Sequence, residues 1–356
     1  MAFRSARFPL SVVLVSLLGS GVIALACGDG GDGGGNGNDD GDGGFIVLPD
    51  AAVGQSDARA PATTMRLAHL APELGAVDFC YRTAKSTSFE GPVLSGGIGS
   101  MGRDASADGS SSGDGGEEPD ADDDDGGDAS ISDAGAANVG YRSVSRYLNL
   151  TSAGPLTIAL VAPGATSCAT PIFTADVTLD PGKLSTVAIV GRTGSDGGAD
   201  ALALAAFIDD RATTASKARV RMIHAALGVT ATGRPPSGPL SARVTSSQTL
   251  SVAERIEPKK ASAPSAAIPV DSLGYATIAA LPSPAQLAIG AAPGTATTPD
   301  AEVIDSWVSK ATELDLRGGS LHTGFVLSAD DQQPFEVLWC TDTSTSGDLT
   351  TCKLVR

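Results

Sequence analysis

The stretch Met65–Ala71, with the sequence MRLAHLA, returns 155 positions later as Val220–Ala226, with the sequence VRMIHAA. Successive side chains of a strand point to opposite sides, so each copy can present two different faces. Each copy follows a polar stretch and opens a series of short strand-like segments. The repeat therefore predicts two related β modules in tandem, module 1 at residues 63–210 and module 2 at residues 218–356.

The segments that follow each copy favour an all-β fold. Leu156–Val161 and Leu184–Val190 are short and apolar, and Asp180–Gly182 has the sequence Asp-Pro-Gly, which is a strong turn signal. No long amphipathic helix is evident, although we expect one short helix around Ser306–Leu314. Short strands at hairpin spacing with many turn residues are typical of tandem immunoglobulin-like, antiparallel β-sandwich modules.

The negative charge of the chain lies in two low-complexity tracts. Residues 28–60 hold seven acidic side chains and one basic one, and residues 95–136 hold twelve acidic side chains and one basic one. Together they account for the whole formal charge of −17, so the remaining chain is close to neutral. We expect a flexible acidic tether at 27–62 and a disordered acidic insertion in module 1 at 95–137. No basic stripe is present, which argues against nucleic acid as a partner.

The N-terminus, Met1–Ala26, has the features of an export signal. Two arginines precede the apolar run Leu10–Leu25, which at 16 residues is short for a membrane span. Two cleavage patterns compete at its end. Ala24–Ala26 fits ordinary signal cleavage, whereas Ile23–Gly28 resembles a bacterial lipobox in which Cys27 is acylated. The lipobox is imperfect, because Ala24 stands where leucine is preferred.

The five cysteines favour the lipobox. An odd cysteine in an exported protein needs an explanation, and acylation of Cys27 leaves four for disulfides in an oxidising compartment. Cys340 and Cys352 flank a polar segment between two strand-like runs, so we expect a disulfide across this last hairpin. Cys80 would then pair with Cys168 inside module 1. Sequence alone permits three connectivities, and buried free thiols are the alternative for the first pair.

The histidines and arginines of the repeated strand are the most prominent candidate site residues. Alternation places His69 and His224 on the apolar face of their strands, and Arg66 and Arg221 on the opposite face. A histidine on an apolar face is more often a core residue bonded to backbone than a ligand. Asp78 follows on the next strand, and we expect it to pair with Arg66. The residues predict no metal site, no cofactor and no catalytic constellation.

These modules resemble the bacterial domain of unknown function family 4397. The resemblance is clear over 63–210 and weak over 218–356, which lacks two of the motif elements after its first strand. It implies an exported, surface-associated β domain and no known reaction, so the matching residues are expected to be structural. In module 1 they are Arg66, His69, Pro72, Asp78 and Tyr147, and in module 2 they are Arg221, His224 and Tyr275.

The sequence as a whole predicts an exported protein of the cell envelope that Cys27 anchors to a membrane through lipid. The expected location is the outer membrane, and the alternative is a soluble secreted or periplasmic protein. The expected role is non-enzymatic, either binding an envelope or extracellular partner or contributing structure. The alternatives are an envelope hydrolase with an unrecognised site and a secreted soluble binding protein. A further hypothesis is a spacer whose acidic insertion is its functional part.

The acidic insertion is expected to associate weakly with divalent cations. Asp122, Asp124 and Asp133 have roughly the spacing of a calcium loop, but glycine stands at one ligand position and the last ligand is not glutamate. Calorimetric titration with calcium should therefore give weak binding that rising salt suppresses and that a chain lacking 95–136 loses. Tight, salt-resistant binding would contradict this expectation and indicate a structured site.

Overall fold

The opening strand of each module is covered on both of its faces, which explains why its sequence is nearly continuously apolar. A computed structural model describes residues 62–95, 138–194, 200–227, 238–266, 268–292, 305–329, 334–342 and 350–356. These residues belong to one compact unit, and strands are the only long regular elements among them. The all-β fold predicted from the sequence is confirmed.

In the described part of the chain, module 1 contains eight strands and module 2 contains nine. The strands of module 1 are β1 Thr63–His69, β2 Asp78–Thr83, β3 Ser143–Val144, β4 Leu148–Leu150, β5 Gly154–Val161, β6 Phe173–Leu179, β7 Leu184–Val190 and β8 Ala203–Asp209. Those of module 2 are β9 Lys217–His224, β10 Leu240–Thr245, β11 Thr249–Ile256, β12 Tyr275–Ala279, β13 Gln286–Ala291, β14 Asp305–Val308, β15 Leu321–Ser328, β16 Phe335–Thr341 and β17 Thr351–Val355.

Each module is a sandwich of two sheets. In module 1, sheet I has the order β3-β1-β7-β8, with β4 also paired to β1, and sheet II has the order β2-β5-β6. In module 2, sheet III has the order β12-β9-β15-β16-β17 and sheet IV has the order β11-β10-β13-β14. One apolar core joins sheets I and II, and another joins sheets III and IV.

A third apolar cluster joins the two modules through the outer faces of sheets I and III. Ala68 and Leu70 of module 1 share this cluster with Ile223 and Phe325 of module 2, all of them buried. The molecule is therefore layered in the order II–I–III–IV. Because β1 and β9 lie in the inner layers, one face of each strand fills its own core while the other face meets the neighbouring module.

Two of the ladders differ from the expected antiparallel pattern. Strand β1 runs parallel to β7, and β9 runs parallel to β15, whereas the remaining ladders are antiparallel. Parallel neighbours require a long crossover, and each pair here is separated in sequence by the strands of the other sheet of its sandwich. Parallel pairs that are buried on both faces match the apolar character of these strands.

The helix expected around Ser306–Leu314 is wrong. Asp305–Val308 is strand β14, and the described residues after it contain no helix. Trp307 and Ser309 are buried while Val308 between them is exposed, which is the period of a strand rather than of a helix. Pairing with β13 decides the conformation of this short segment.

Both expected disulfides are present. Cys80 on β2 is joined to Cys168 in the loop between β5 and β6, and Cys340 is joined to Cys352 directly opposite in the β16–β17 ladder. The export signal, the tether, Cys27 and nearly all of the acidic insertion lie outside the described residues. Within the described residues, no helix is long and apolar enough to cross a membrane.

Removing either disulfide should lower the free energy of unfolding, because each bond restricts the unfolded chain. Replacing Cys340 and Cys352 with alanine should cost about 3 kcal/mol in the chain-entropy model, and replacing Cys80 and Cys168 should cost about 4–5 kcal/mol, because that bond closes the longer loop. Urea unfolding of the two double variants measures this difference. Equal losses would contradict the loop-length explanation.

Candidate functional site

The arginines of the repeated strand point into the contact between the two modules. Arg66 on β1 and Arg221 on β9 are both fully buried. In the parallel ladders, Arg66 lies opposite Thr186 of β7 and Arg221 lies opposite Thr323 of β15. The same strand position in each module therefore delivers one arginine and one threonine to the interface.

Two aspartates complete the set, one from each module. Asp209 is the last residue of β8, and Asp342 follows the end of β16. The Thr186 hydroxyl donates to Asp209 Oδ2 over 2.7 Å, and the Thr323 hydroxyl donates to Asp342 Oδ2 over 2.7 Å. Each threonine therefore orients the carboxylate of its own module.

The arginines cross between the modules. Arg66 Nη1 donates to Asp342 Oδ1 over 2.5 Å, and Arg221 Nη2 donates to Asp209 Oδ1. The two ion pairs are related by an approximate two-fold exchange, because each module gives an arginine to the other and accepts one in return. We call Arg66, Arg221, Asp209 and Asp342 the Arg–Asp cluster, and its formal charges sum to zero.

Two tyrosines cover the arginines. The Arg66 guanidinium lies 5.0 Å from the centre of the Tyr147 ring, and that of Arg221 lies 4.7 Å from the centre of the Tyr275 ring. The Tyr147 hydroxyl also donates to Asp209 Oδ2 over 2.9 Å. Burial raises the pKa of both phenols, that of Tyr275 to about 12, so both remain neutral donors.

The local charges favour the ionised forms of Asp209 and Arg66. Burial alone would raise the pKa of Asp209, but the charges of Arg221 and Arg66 hold it below its ordinary value. Burial alone would lower the pKa of Arg66, but Asp342, Tyr147 and Asp209 bring it above its ordinary value. Buried charges of this kind are tolerated because each one has a partner and hydrogen bonds.

The arrangement fits structural stabilisation better than proton transfer. The side chains of the cluster are between 0% and 4% exposed. Every side-chain oxygen of Asp209 and Asp342 accepts a hydrogen bond from a described residue, so both carboxylates are held by partners within the protein. Among the described residues, the buried side-chain nitrogen and oxygen atoms that lack a hydrogen-bond partner are Arg66 Nη2, Arg221 Nε and the Tyr275 hydroxyl beside the cluster, and Nδ1 of His69 and of His224.

The histidines lie where strand alternation predicted. His69 Nε2 is 2.8 Å from the carbonyl oxygen of Gly75, and His224 Nε2 is 3.3 Å from that of Gly238. Burial lowers the pKa of both rings, that of His224 to about 4. His322, which the sequence did not single out, stacks on Trp339 at 5.2 Å between ring centres.

The expected pair between Asp78 and Arg66 is wrong. Asp78 instead accepts hydrogen bonds from the backbone N–H groups of Phe79, Leu94 and Ser95 and from the Ser95 hydroxyl, over 2.6–2.9 Å. It begins β2 in sheet II, whereas Arg66 points away from that sheet toward module 2. The carboxylate therefore fixes the segment that leads into the acidic insertion.

Two further predicted residues lie in the turn after β1 and in a ladder of sheet III. Pro72 is half-buried in the turn after β1, and Tyr275 lies opposite Arg221 in the β9–β12 ladder. The described residues contain no group of three or more His, Cys, Asp or Glu side chains that could hold a metal ion.

A groove of about 870 Å³ lies between the modules, with Leu204–Ile208 of β8 on one side and Glu257–Ala263 on the other.

A segment that covers the end of module 1 and the first strand of module 2 matches the sequence model of a protein family. Residues 125–231 match the family described as "Domain of unknown function (DUF4397)". The match confirms the resemblance over that segment. It begins within the acidic insertion and runs through β9, so it includes Tyr147, Asp209, Arg221 and His224. No curated protein matches the chain.

Sequence reasoning missed Thr186, Thr323, Asp209 and Asp342. The signal was available in the repeat, because Thr186 and Thr323 share the spacing of 137 that relates Leu179–Gly182 to Leu316–Gly319. Short polar residues at strand ends are common, however, and nothing local distinguishes these from others. Their role depends on contacts between the two modules, such as that of Asp342 with Arg66 across 276 positions of sequence.

Removing one charge of the cluster should destabilise the protein strongly. Arg66→Met leaves the buried Asp342 carboxylate without its cation, and we expect a loss of about 3–5 kcal/mol in the free energy of unfolding. Arg255→Met is the matched control, because Arg255 pairs with Glu257 at the surface, where such a pair contributes about 0–1 kcal/mol. Equal losses in urea unfolding would contradict a structural role for the cluster.

Acidification should weaken the fold through His224. Its folded-state pKa is about 4, below the unfolded value of about 6.5. The unfolded chain therefore takes up the proton more readily, so the stabilising contribution of the neutral ring is present above about pH 6.5 and is lost as the pH falls toward 4. The loss should be at most about 3 kcal/mol. Urea unfolding at pH 7.5 and 4.5 should show a smaller difference in His224→Gln than in the wild type.

Proposed function

We propose that this chain is an exported, non-enzymatic protein of the cell envelope, anchored by lipid on Cys27, whose two fused modules form a rigid body for binding a partner. The expected membrane is the outer membrane. The tether at 27–62 would separate the modules from the membrane surface, and its negative charge would keep it extended and solvated.

The cysteine pairing is the observation that carries this proposal. The chain has five cysteines, and the two disulfides use Cys80, Cys168, Cys340 and Cys352. Cys27, directly after the export signal, is the one that remains. Two disulfides favour an oxidising compartment, and a single remaining cysteine at this position favours acylation over a free thiol.

The geometry of the interface supports a binding or structural role. The charged side chains of the Arg–Asp cluster form ion pairs and hydrogen bonds with one another across the contact between the modules. The Arg–Asp cluster and the shared apolar cluster hold sheets I and III together in one orientation. A rigid pair of sandwiches can present loops and a groove to a partner without a catalytic step.

Lipid attachment is the part of this proposal that a single substitution tests. Cells that express the full chain with an alkyne-labelled palmitate should yield labelled protein in the membrane fraction. Cys27→Ser should lose the label and leave the membrane fraction, because the acylated residue is gone. Ser56→Ala, in the tether, is the control and should keep the label. Unlabelled wild-type protein in the medium would overturn the proposal in favour of a secreted protein.

A further inference from the structure

The two modules differ at one equivalent strand edge. Strand β8 of module 1 and β16 of module 2 each pair antiparallel with the strand before them and lead to an aspartate of the Arg–Asp cluster. Aligning Asp209 with Asp342 places Leu204–Ile208 of β8 on Val337–Thr341 of β16. These five positions of β16 are paired on their other side with Thr351–Val355 of β17.

Module 1 has no counterpart of β17 among its described residues. Strand β8 ends the order of sheet I, so no described strand is hydrogen-bonded to its outer edge, although β6 of sheet II lies close to β8. Its burial differs accordingly, since most of β16 is buried whereas most of β8 is only partly buried and Ala206 is exposed. The groove of about 870 Å³ is lined by Leu204–Ile208, the same five positions that β17 covers in module 2.

The backbone of this edge is oriented to pair with a strand. The carbonyl oxygen of Ile208 accepts from Arg221 Nη1 over 2.8 Å, so it points away from β7. Backbone groups of an antiparallel strand alternate between its two sides, and Leu204 and Ala206 therefore direct their N–H and C=O groups to the same outer edge. Unpaired main-chain groups at the edge of a sheet, such as those of Leu204 and Ala206, are a template for an added strand.

We propose that the outer edge of β8 binds an extended peptide of a partner protein, which adds to sheet I as β17 adds to sheet III. The peptide would run antiparallel to β8, because β17 runs antiparallel to β16. Main-chain hydrogen bonds would supply affinity, and alternate side chains would supply specificity. This inference names the partner chemistry of the binding role proposed above and rests on it.

The surroundings of the groove define the peptide further. Ala205 and Phe207 contact the apolar cluster between the modules, as Cys352 and Leu354 of β17 do in module 2. Every second side chain of the peptide should therefore be apolar. Lys259, Lys260 and Glu257 line the opposite side, and Glu257 is paired with Arg255. The excess positive charge favours an acidic residue in the peptide.

A short labelled peptide tests this geometry. The probe is fluorescein-TVELV, which is the sequence of β17 with valine for the cysteine and glutamate for the lysine, and the measurement is fluorescence anisotropy with the full chain. We expect saturable binding to the wild type. The same peptide with proline at its centre should not bind, because proline removes a main-chain donor. Equal binding of both peptides, or no binding of either, would overturn the inference.

Variants of the protein locate the binding edge. Ala206→Pro removes one outward N–H without removing a bond to β7, and proline is tolerated on edge strands, so binding should weaken about tenfold or more. Lys260→Glu should weaken binding several-fold through charge alone, and it keeps the test informative if Ala206→Pro does not fold. Lys85→Glu, at an exposed turn after β2, is the matched control and should bind as the wild type does.

Other occupants of the edge would give distinct results. If the peptide binds to Val47→Pro but not to the wild type, the preceding segment Phe45–Leu48 of this chain fills the position. If the wild type is a dimer and Ala206→Pro is a monomer, a second copy fills it. Either result overturns the partner peptide. If the wild type carries lipid on Cys27 but does not bind the peptide, this inference alone is refuted. If the wild type is not labelled by the palmitate probe, the envelope proposal is refuted.

Discussion

The exchange of arginines between the two modules is the interaction on which the arrangement of the molecule depends. Arg66 reaches Asp342 and Arg221 reaches Asp209, and all four side chains are buried. A buried charge is strongly destabilising when it has no partner, so the two modules cannot separate or slide without a large cost. We regard this cluster as the reason for one orientation of the modules, because apolar contact alone is not directional.

The second disulfide supports the same interaction from the side of module 2. Asp342 lies two residues after Cys340, and Thr350 lies two residues before Cys352. Both residues accept a hydrogen bond from Arg66 Nη1. The Cys340–Cys352 bond therefore holds together the two chain segments that contact this arginine, and both of its cysteines belong to the apolar cluster between the modules.

The Arg–Asp cluster is approximately symmetric between the modules, but the outer edges of the equivalent strands β8 and β16 differ. Both modules supply an arginine, a threonine, an aspartate and a tyrosine at matching positions, but a strand covers this edge only in module 2 within the described residues. The family match, which runs from residue 125 to 231, contains β8 and its edge. In this protein, the duplicated parts form the contact between the modules, and the two copies differ at the outer edges of β8 and β16.

The sequence by itself determined the all-β class and the strand period of the repeat. It indicated the family resemblance over 63–210, which the family match supports over residues 125–231, and it favoured the observed pairing of four cysteines among three possible ones. These features depend on alternation, turn residues and spacing, which are local. It failed for Asp78, whose partners are backbone N–H groups and the Ser95 hydroxyl, and for Asp305–Val308, where pairing with β13 overrides local preference. Only the tertiary structure decided that Arg66 pairs with Asp342 and that Arg221 pairs with Asp209. Those partners come from the other module, and no local pattern records a contact across 276 positions of sequence.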